Sequence, residues 1–206
     1  MITPSRSTRT ATVLAAAAVV ASGVLAAAAP AAARPDRPCV VDEHDADATV
    51  AALMDQCSSA QIVALFQSAD VGQRPPTGKY RLHLLPVQQS PTGLADYRDA
   101  KIFVETQSRL GDALQFASGP QGQPWVYKHY LSGRDAGAPV EYAPRSFADG
   151  EPAWTADFVR DFGGVSVSTH EYRQLTPTVW IGRDFLGPGT ADHPPQRGGA
   201  LALTAY

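Results

Sequence analysis

"THEYRQLTPTVWIGRDFLGPG", residues 169–189, joins two runs rich in β-branched and aromatic residues and ends them with Gly187, Pro188 and Gly189. On a strand, successive side chains take opposite faces. Trp180 and Gly182 therefore point one way, and Val179, Ile181, Arg183 and Phe185 point the other. Glu171 and Arg173 share one face, together with Val165, Val167 and Thr169 if simple alternation holds. A glycine inside such a run, here Gly182, marks a bend, a bulge or a close approach of another backbone.

The same grammar extends outward in both directions. "KYRLHLLPV", "KIFVET", "DALQFA", "PWVYKHYL", "APVEYAP", "PAWTADFV", "VSVSTHEYRQL", "TVWIGRDF" and "GALALTAY" are short runs separated by Gly, Pro, Asp and Ser. Regularly spaced short strands of this kind predict an antiparallel sandwich or barrel. In "PWVYKHYL" the residues Trp125, Tyr127, His129 and Leu131 share a face opposite Val126, Lys128 and Tyr130. Two half-apolar faces fit a barrel with a lined interior and equally fit a two-sheet sandwich, and periodicity does not separate the two.

Upstream the pattern is helical. Residues 47–70 follow a Pro-rich and acidic lead at 34–46, and the strand-rich part spans 78–206. Val50, Leu53, Met54 and Cys57 fall at i, i+3, i+4 and i+7, which is one face of a helix. Asp45 or Asp47 can cap its start, where acids suit the positive end of the dipole. A second helix begins at Ser58 or Ser59 and carries Ile62, Leu65 and Phe66 inward.

Residues 1–33 have the form of an export leader: Arg6 and Arg9, an uncharged alanine-rich run at 11–29, and small residues at 31–33 ahead of a cleavage point before Arg34. The expectation is a secreted, extracellular protein with no stable membrane anchor after cleavage. Without the leader, 15 basic side chains face 20 acidic ones, a net charge of −5 with histidine neutral. That balance argues against a nucleic-acid partner, which needs a basic face. Cys39 and Cys57 are the two cysteines of the chain, and in an exported protein such a pair is expected to form a disulfide.

The layout resembles that of secreted actinobacterial proteins of unknown function with a calycin-like (lipocalin-like) barrel. The resemblance rests on "IVALF" (62–66), "PPTGKYR" (75–81), the turn "SFADGEPAWTADF" (146–158), and the close "EYRQLTPTVWIGRDF" (171–185) followed by "GALALTAY" (199–206). It covers most of residues 58–206. One departure is "YRDAKIF" (97–103), where Ala100 stands in place of the family's glycine ahead of Lys101, so any site shared there does not carry over. The family implies a fold and no activity.

Catalytic signatures are sparse. The sequence contains no Gly-x-Ser-x-Gly, no His-Glu-x-x-His, and no glycine pattern of a nucleotide-binding loop, so no cofactor is expected. "DEHDAD" (42–47) reads as a solvated helix cap rather than a cation loop. His83, His129 and His170 would hold a metal only if alternation aimed all three inward, and no metal is expected. Glu171 and Arg173 are the best-placed polar pair. They read either as part of a structural bridge, with Asp157 or Asp184 as cross-strand partner, or as the polar end of a ligand pocket in which Arg173 or Arg183 receives an anionic head.

The fold expected is therefore mainly β, an antiparallel calycin-like barrel behind a short helical segment. The leading function is binding a small, apolar molecule, with Trp180, Arg173, Glu171, Arg183, Tyr127 and His129 as candidate ligand residues. The alternatives are a cofactor-free isomerase or cyclase on the same barrel and a secreted inhibitor or interaction module. No catalytic residue and no oligomeric state can be assigned from the sequence.

Overall fold

The computed structural model describes residues 38–107, 111–130, 135–158 and 168–206. Helices α1 (Ala46–Asp55) and α2 (Ser59–Ser68) come first. Strand β1 (Gly78–Ser90) and the two-residue β2 (Gly93–Leu94) lead into helix α3 (Tyr97–Gln107). The remaining strands are β3 (Gly111–Ser118), β4 (Pro124–Tyr130), β5 (Asp135–Pro139), β6 (Glu141–Ala143), β7 (Ala153–Asp157), β8 (Ser168–Gln174), β9 (Val179–Leu186) and β10 (Gly198–Ala205).

Nine strands form one antiparallel path in the order β5-β4-β3-β1-β10-β9-β8-β7-β6, with β2 paired to β1 at the side. The two ends of this path, β5 and β6, are separated in the chain by Val140 alone. Its N–H donates to the Pro124 carbonyl at 2.9 Å. The sheet therefore curls into a nearly closed barrel, and the barrel reading holds over the sandwich. One apolar cluster proves the curl: Val126 of β4 and Ala138 of β5 pack with Tyr172, Trp180 and Leu203 of β8, β9 and β10. Only the inside of a curled sheet brings those strands together.

The outer face of β1, β9 and β10 is covered by the two leading helices. Asp45 caps α1 by accepting the Ala48 N–H at 2.8 Å, and Ser58 and Gln61 form a reciprocal capping box on α2. Val50, Leu53, Ile62 and Phe66 turn toward the sheet and meet Leu85, Val87, Val179, Ile181, Ala200 and Ala202. Each such side chain, taken fully out of water, contributes roughly 1.5–3 kcal/mol. The Cys39–Cys57 disulfide ties the chain before α1 to the junction between α1 and α2. Pro86 lacks an N–H to give the ladder, and the β1–β10 register shifts between Leu85 and Gln88. The Pro86 carbonyl instead accepts from Ser59 Oγ at 2.7 Å, docking α2.

One expected strand is a helix. "KIFVET" has the β-branched content of a strand, yet it lies within α3. Asp96 supplies a cap, accepting the Asp99 N–H at 2.9 Å, and Ala100 and Val104, four residues apart, are both buried. A helix places that pair on one face, whereas a strand would also bury the intervening Ile102, which is 56% exposed. Val165, Val167 and Leu131 lie outside the described residues.

Candidate functional site

The strands deliver two separate polar groups, one to each face of the barrel wall. On the inner face, alternation on β4 turns Val126, Lys128 and Tyr130 inward. On β8 it turns Ser168, His170 and Tyr172 inward, and on β9 Trp180, Gly182 and Asp184. Lys128 and His170 belong to strands that are not neighbours in the sheet, so their contact crosses the lumen. Lys128 Nζ lies 3.0 Å from His170 Nε2, and His170 Nδ1 lies 2.9 Å from the Tyr172 hydroxyl. Asp184 Oδ1 sits 3.4 Å from the same His170 Nε2 and accepts from Ser168 Oγ at 2.8 Å. Lys128 also stands over the Phe158 ring, 4.9 Å from its centroid.

Burial governs the charges here. It holds the His170 imidazole well below its ordinary range, with the Lys128 charge adding to the effect, so the ring is neutral and its contact with Asp184 is not an ion pair. Burial lowers the Lys128 amine, against the opposing pull of Asp184. Burial raises the Asp184 carboxyl, partly countered by Lys128, Ser168 and Arg183. It also drives the Tyr172 phenol well above the usual range, helped by Asp184. A neutral imidazole has one acceptor nitrogen. When Nε2 accepts from the Lys128 ammonium, Nδ1 carries the proton and donates to Tyr172.

This end of the lumen keeps accessible surface. Lys128 and Tyr130 are only partly buried, and Asp184 retains 29% of its side-chain exposure although it faces inward. The apolar wall beside them behaves alike. Leu82 and Leu84 of β1 face the barrel interior and are also partly exposed. Among the described residues, β3 pairs with β1 from Gly78 to Arg81. The interior beside and below them is filled: Leu201 and Leu203 lie directly across from Leu84 and Leu82, Leu114 lies across from Lys128, and Phe116 and Trp180 close the far end. A shallow cleft of about 310 Å³ opens at that far end between Pro75, Pro76, Phe116, Pro124, Trp125 and Val140, and no titratable side chain lines it. The convergent chemistry is therefore at the Lys128 end.

No protein-family model matches the chain, and neither does any curated protein or solved structure. The residues themselves carry the functional reading.

The outer face holds most of the residues singled out from sequence. Arg173 is 1% exposed and saturated with acceptors. It donates from Nη1 and Nη2 to both carboxylate oxygens of Asp149 at 2.8 and 2.7 Å, and from Nε to the Pro152 carbonyl at 2.9 Å. Nη1 also reaches the carbonyls of Phe66 and Gln67 at the end of α2, at 3.1 and 3.2 Å. Glu171 accepts the backbone N–H of Phe147 at 2.5 Å and of Ala148 at 3.3 Å. Arg183 is the cross-strand neighbour of Glu171. It donates to the Gly199 carbonyl at 2.9 Å and to Gln89 Oε1. Arg173 and Glu171 thus clamp α2 and the turn at 146–152 onto β8, while Arg183 ties β9 to β10 and β1.

The bridge partner of Arg173 is thus Asp149, rather than Asp157 or Asp184. Asp184 pairs with His170 and belongs to the inner face, while Asp157 stands opposite Thr169, further along the ladder. Tyr127 and His129 lie on the outer side of β4. Tyr127 neighbours Trp125, and His129 Nε2 lies 3.3 Å from Gln115 Oε1. Of the ligand candidates named from sequence, Trp180 faces the interior, where it is 6% exposed in the packed core. The structure therefore brings Glu171, Arg173 and Arg183 together and keeps them apart from Trp180, Tyr127 and His129. The three histidines do not converge: His83 lies on the helix-covered face opposite Ala202, bonded to Thr204 Oγ1 at 2.9 Å, and only His170 faces inward.

Lys128, Tyr130 and Tyr172 were not singled out from sequence, and Asp184 was read only as a bridge partner. The signal for them was present. Asp184 continues the Trp180–Gly182 face, and Lys128 and Tyr130 form the face opposite Tyr127. What was missing was the knowledge of which face is inside.

Proposed function

We propose that this protein binds a small, mainly apolar molecule in the barrel lumen, with one polar head of that molecule set against Lys128, His170 and Asp184. The observation that carries the reading is the residual exposure of the inward-facing Leu82, Leu84, Lys128, Tyr130 and Asp184. Apolar walls with a few convergent polar groups are the usual make-up of a small-molecule site. In keeping with the leader at 1–33 and with the Cys39–Cys57 bond, the binding takes place outside the cell.

A second reading has its own support. The contacts from Lys128 through His170 to Tyr172 give a neutral imidazole between an amine and a phenol, a relay suited to cofactor-free proton transfer on a bound molecule.

Titration with Nile red, a neutral apolar dye, tests the first reading. A saturable rise in its emission is expected, and it should be lost in Leu84→Trp, which fills the lumen, with thermal unfolding still cooperative. Equal dye binding by wild type and Leu84→Trp would place the dye elsewhere and overturn the lumen site. Native mass spectrometry of the protein secreted by its producer is expected to show a co-purifying small molecule.

A further inference from the structure

We propose that Lys128 is the reactive group of the lumen, its amine condensing with the carbonyl carbon of a small apolar aldehyde or ketone to form an imine. The inference rests on the lumen-binding reading above and names the ligand class.

The chain has three lysines, and two have ordinary surface settings. Lys79 lies over the Tyr206 ring at 4.4 Å, and Lys101 pairs with Asp55 at 2.5 Å. Lys128 differs. An ammonium enclosed in protein is normally paired with a carboxylate, yet among the described residues none lies within ion-pair distance of it. Among the described residues its hydrogen-bond partner is a ring nitrogen, His170 Nε2 at 3.0 Å. A carboxylate partner would hold the proton on the amine. A neutral imidazole holds the proton on the amine less firmly, and burial favours the uncharged amine.

The neighbours favour a neutral carbonyl head over an anion. Asp184 Oδ1 lies 3.4 Å from the same imidazole nitrogen and would repel a carboxylate or phosphate placed beside Lys128. A carbonyl brings no charge, and the product is a cation. That cation inherits the place of the ammonium, in the field of Asp184 and over the Phe158 ring. Leu82 and Leu84 supply the wall for an alkyl or ring body.

The step balances without a further reagent. His170 Nε2 accepts a proton from the ammonium, and the freed lone pair of Nζ attacks the carbonyl carbon. The carbonyl oxygen takes the electrons of its π bond and, after proton transfer, becomes the hydroxyl of a carbinolamine. That hydroxyl is protonated by the imidazolium and leaves as water, giving a protonated imine. Ammonium and carbonyl thus yield iminium and water, with charge conserved.

Decanal and sodium cyanoborohydride test this on the full mature protein. The expected result is one added decyl group in the intact mass, mapped by peptide digestion to Lys128 ahead of Lys79, Lys101 and the N-terminal amine. Lys128→Met should abolish that adduct. His170→Gln should slow labelling at Lys128 by about 100-fold, at the low end of what a positioned base supplies. Labelling spread evenly over the amines, with decanol displacing the dye from wild type, overturns the imine and leaves the lumen site standing. Failure of both decanal labelling and decanol displacement removes the lumen site and the imine together. The wild-type digest alone decides between these outcomes if the variants do not fold.

Discussion

Arg173 meets Asp149 through two parallel hydrogen bonds of 2.7 and 2.8 Å, on the outside of the barrel and away from its lumen. The same guanidinium binds the last carbonyls of α2 and the carbonyls of Glu151 and Pro152. It lies 4.6 Å over the Phe66 ring. One side chain thus joins β8, the 146–152 turn and the negative end of a helix dipole. Burial alone would raise the Asp149 carboxyl, but Arg173, Ser146 and the Glu151 N–H outweigh it and hold the carboxyl below its ordinary range.

Removing either partner strands a buried charge. Arg173→Leu and Asp149→Leu should each cost about 3–5 kcal/mol, and the double variant should recover much of it. A double-mutant cycle by chemical denaturation measures this coupling. Nile red binding should survive in every variant that folds. Two near-neutral single variants would show that the clamp carries no weight.

Glu171 should make stability depend on pH near neutrality. Burial raises its carboxyl from an ordinary 4.5 to about 7, against the Phe147 and Ala148 N–H groups and the charges of Arg173 and Arg183. A raised folded-state value means that the native protein binds the proton more tightly than the unfolded chain. The contribution is complete below pH 4.5 and is lost as pH rises through about 7. Its size is about 3 kcal/mol. Denaturation of wild type and Glu171→Gln across this window should show the wild type losing stability relative to the variant as pH rises. A constant difference between the two would refute the assignment.

Trp180→Ala should destabilise by about 3–5 kcal/mol, because the ring is buried with Tyr172, Leu201 and Leu203. Urea denaturation gives the value. Wild-type stability in the variant would put the ring outside the core.

Gly182→Ala should cost about 1–3 kcal/mol by overpacking. An added Cβ would stand 2.7 Å from Leu201 Cδ1 and 2.9 Å from the Glu171 carbonyl oxygen. The glycine is there for close approach between β8, β9 and β10. A neutral thermal shift for the variant would contradict that.

Reduction of the Cys39–Cys57 bond should lower stability by about 3 kcal/mol, the chain-entropy value for a loop of this length. Mass analysis after alkylation without reductant should find no labelled thiol, and two labels would exclude the bond.

The sequence by itself determined the local structure. Asp45 and Ser58 announce the starts of α1 and α2, and the spacing of Val50, Leu53 and Cys57 marks the face that α1 buries. The short punctuated runs are strands, apart from α3, where the cap at Asp96 and the pair Ala100 and Val104 outweigh the β-branched residues between them. Alternation sorted Glu171 and Arg173 onto one face and Trp180 and Gly182 onto another. The inside of the barrel was decided only by the tertiary structure. On β8 to β10 both faces are buried, the inner by the barrel and the outer by α1, α2 and the 146–152 turn. A period of two marks two faces but names neither when water touches neither one. Lys128 and His170 sit on non-adjacent strands 42 residues apart in the chain, and only the curl of the sheet sets an amine beside an imidazole across the lumen.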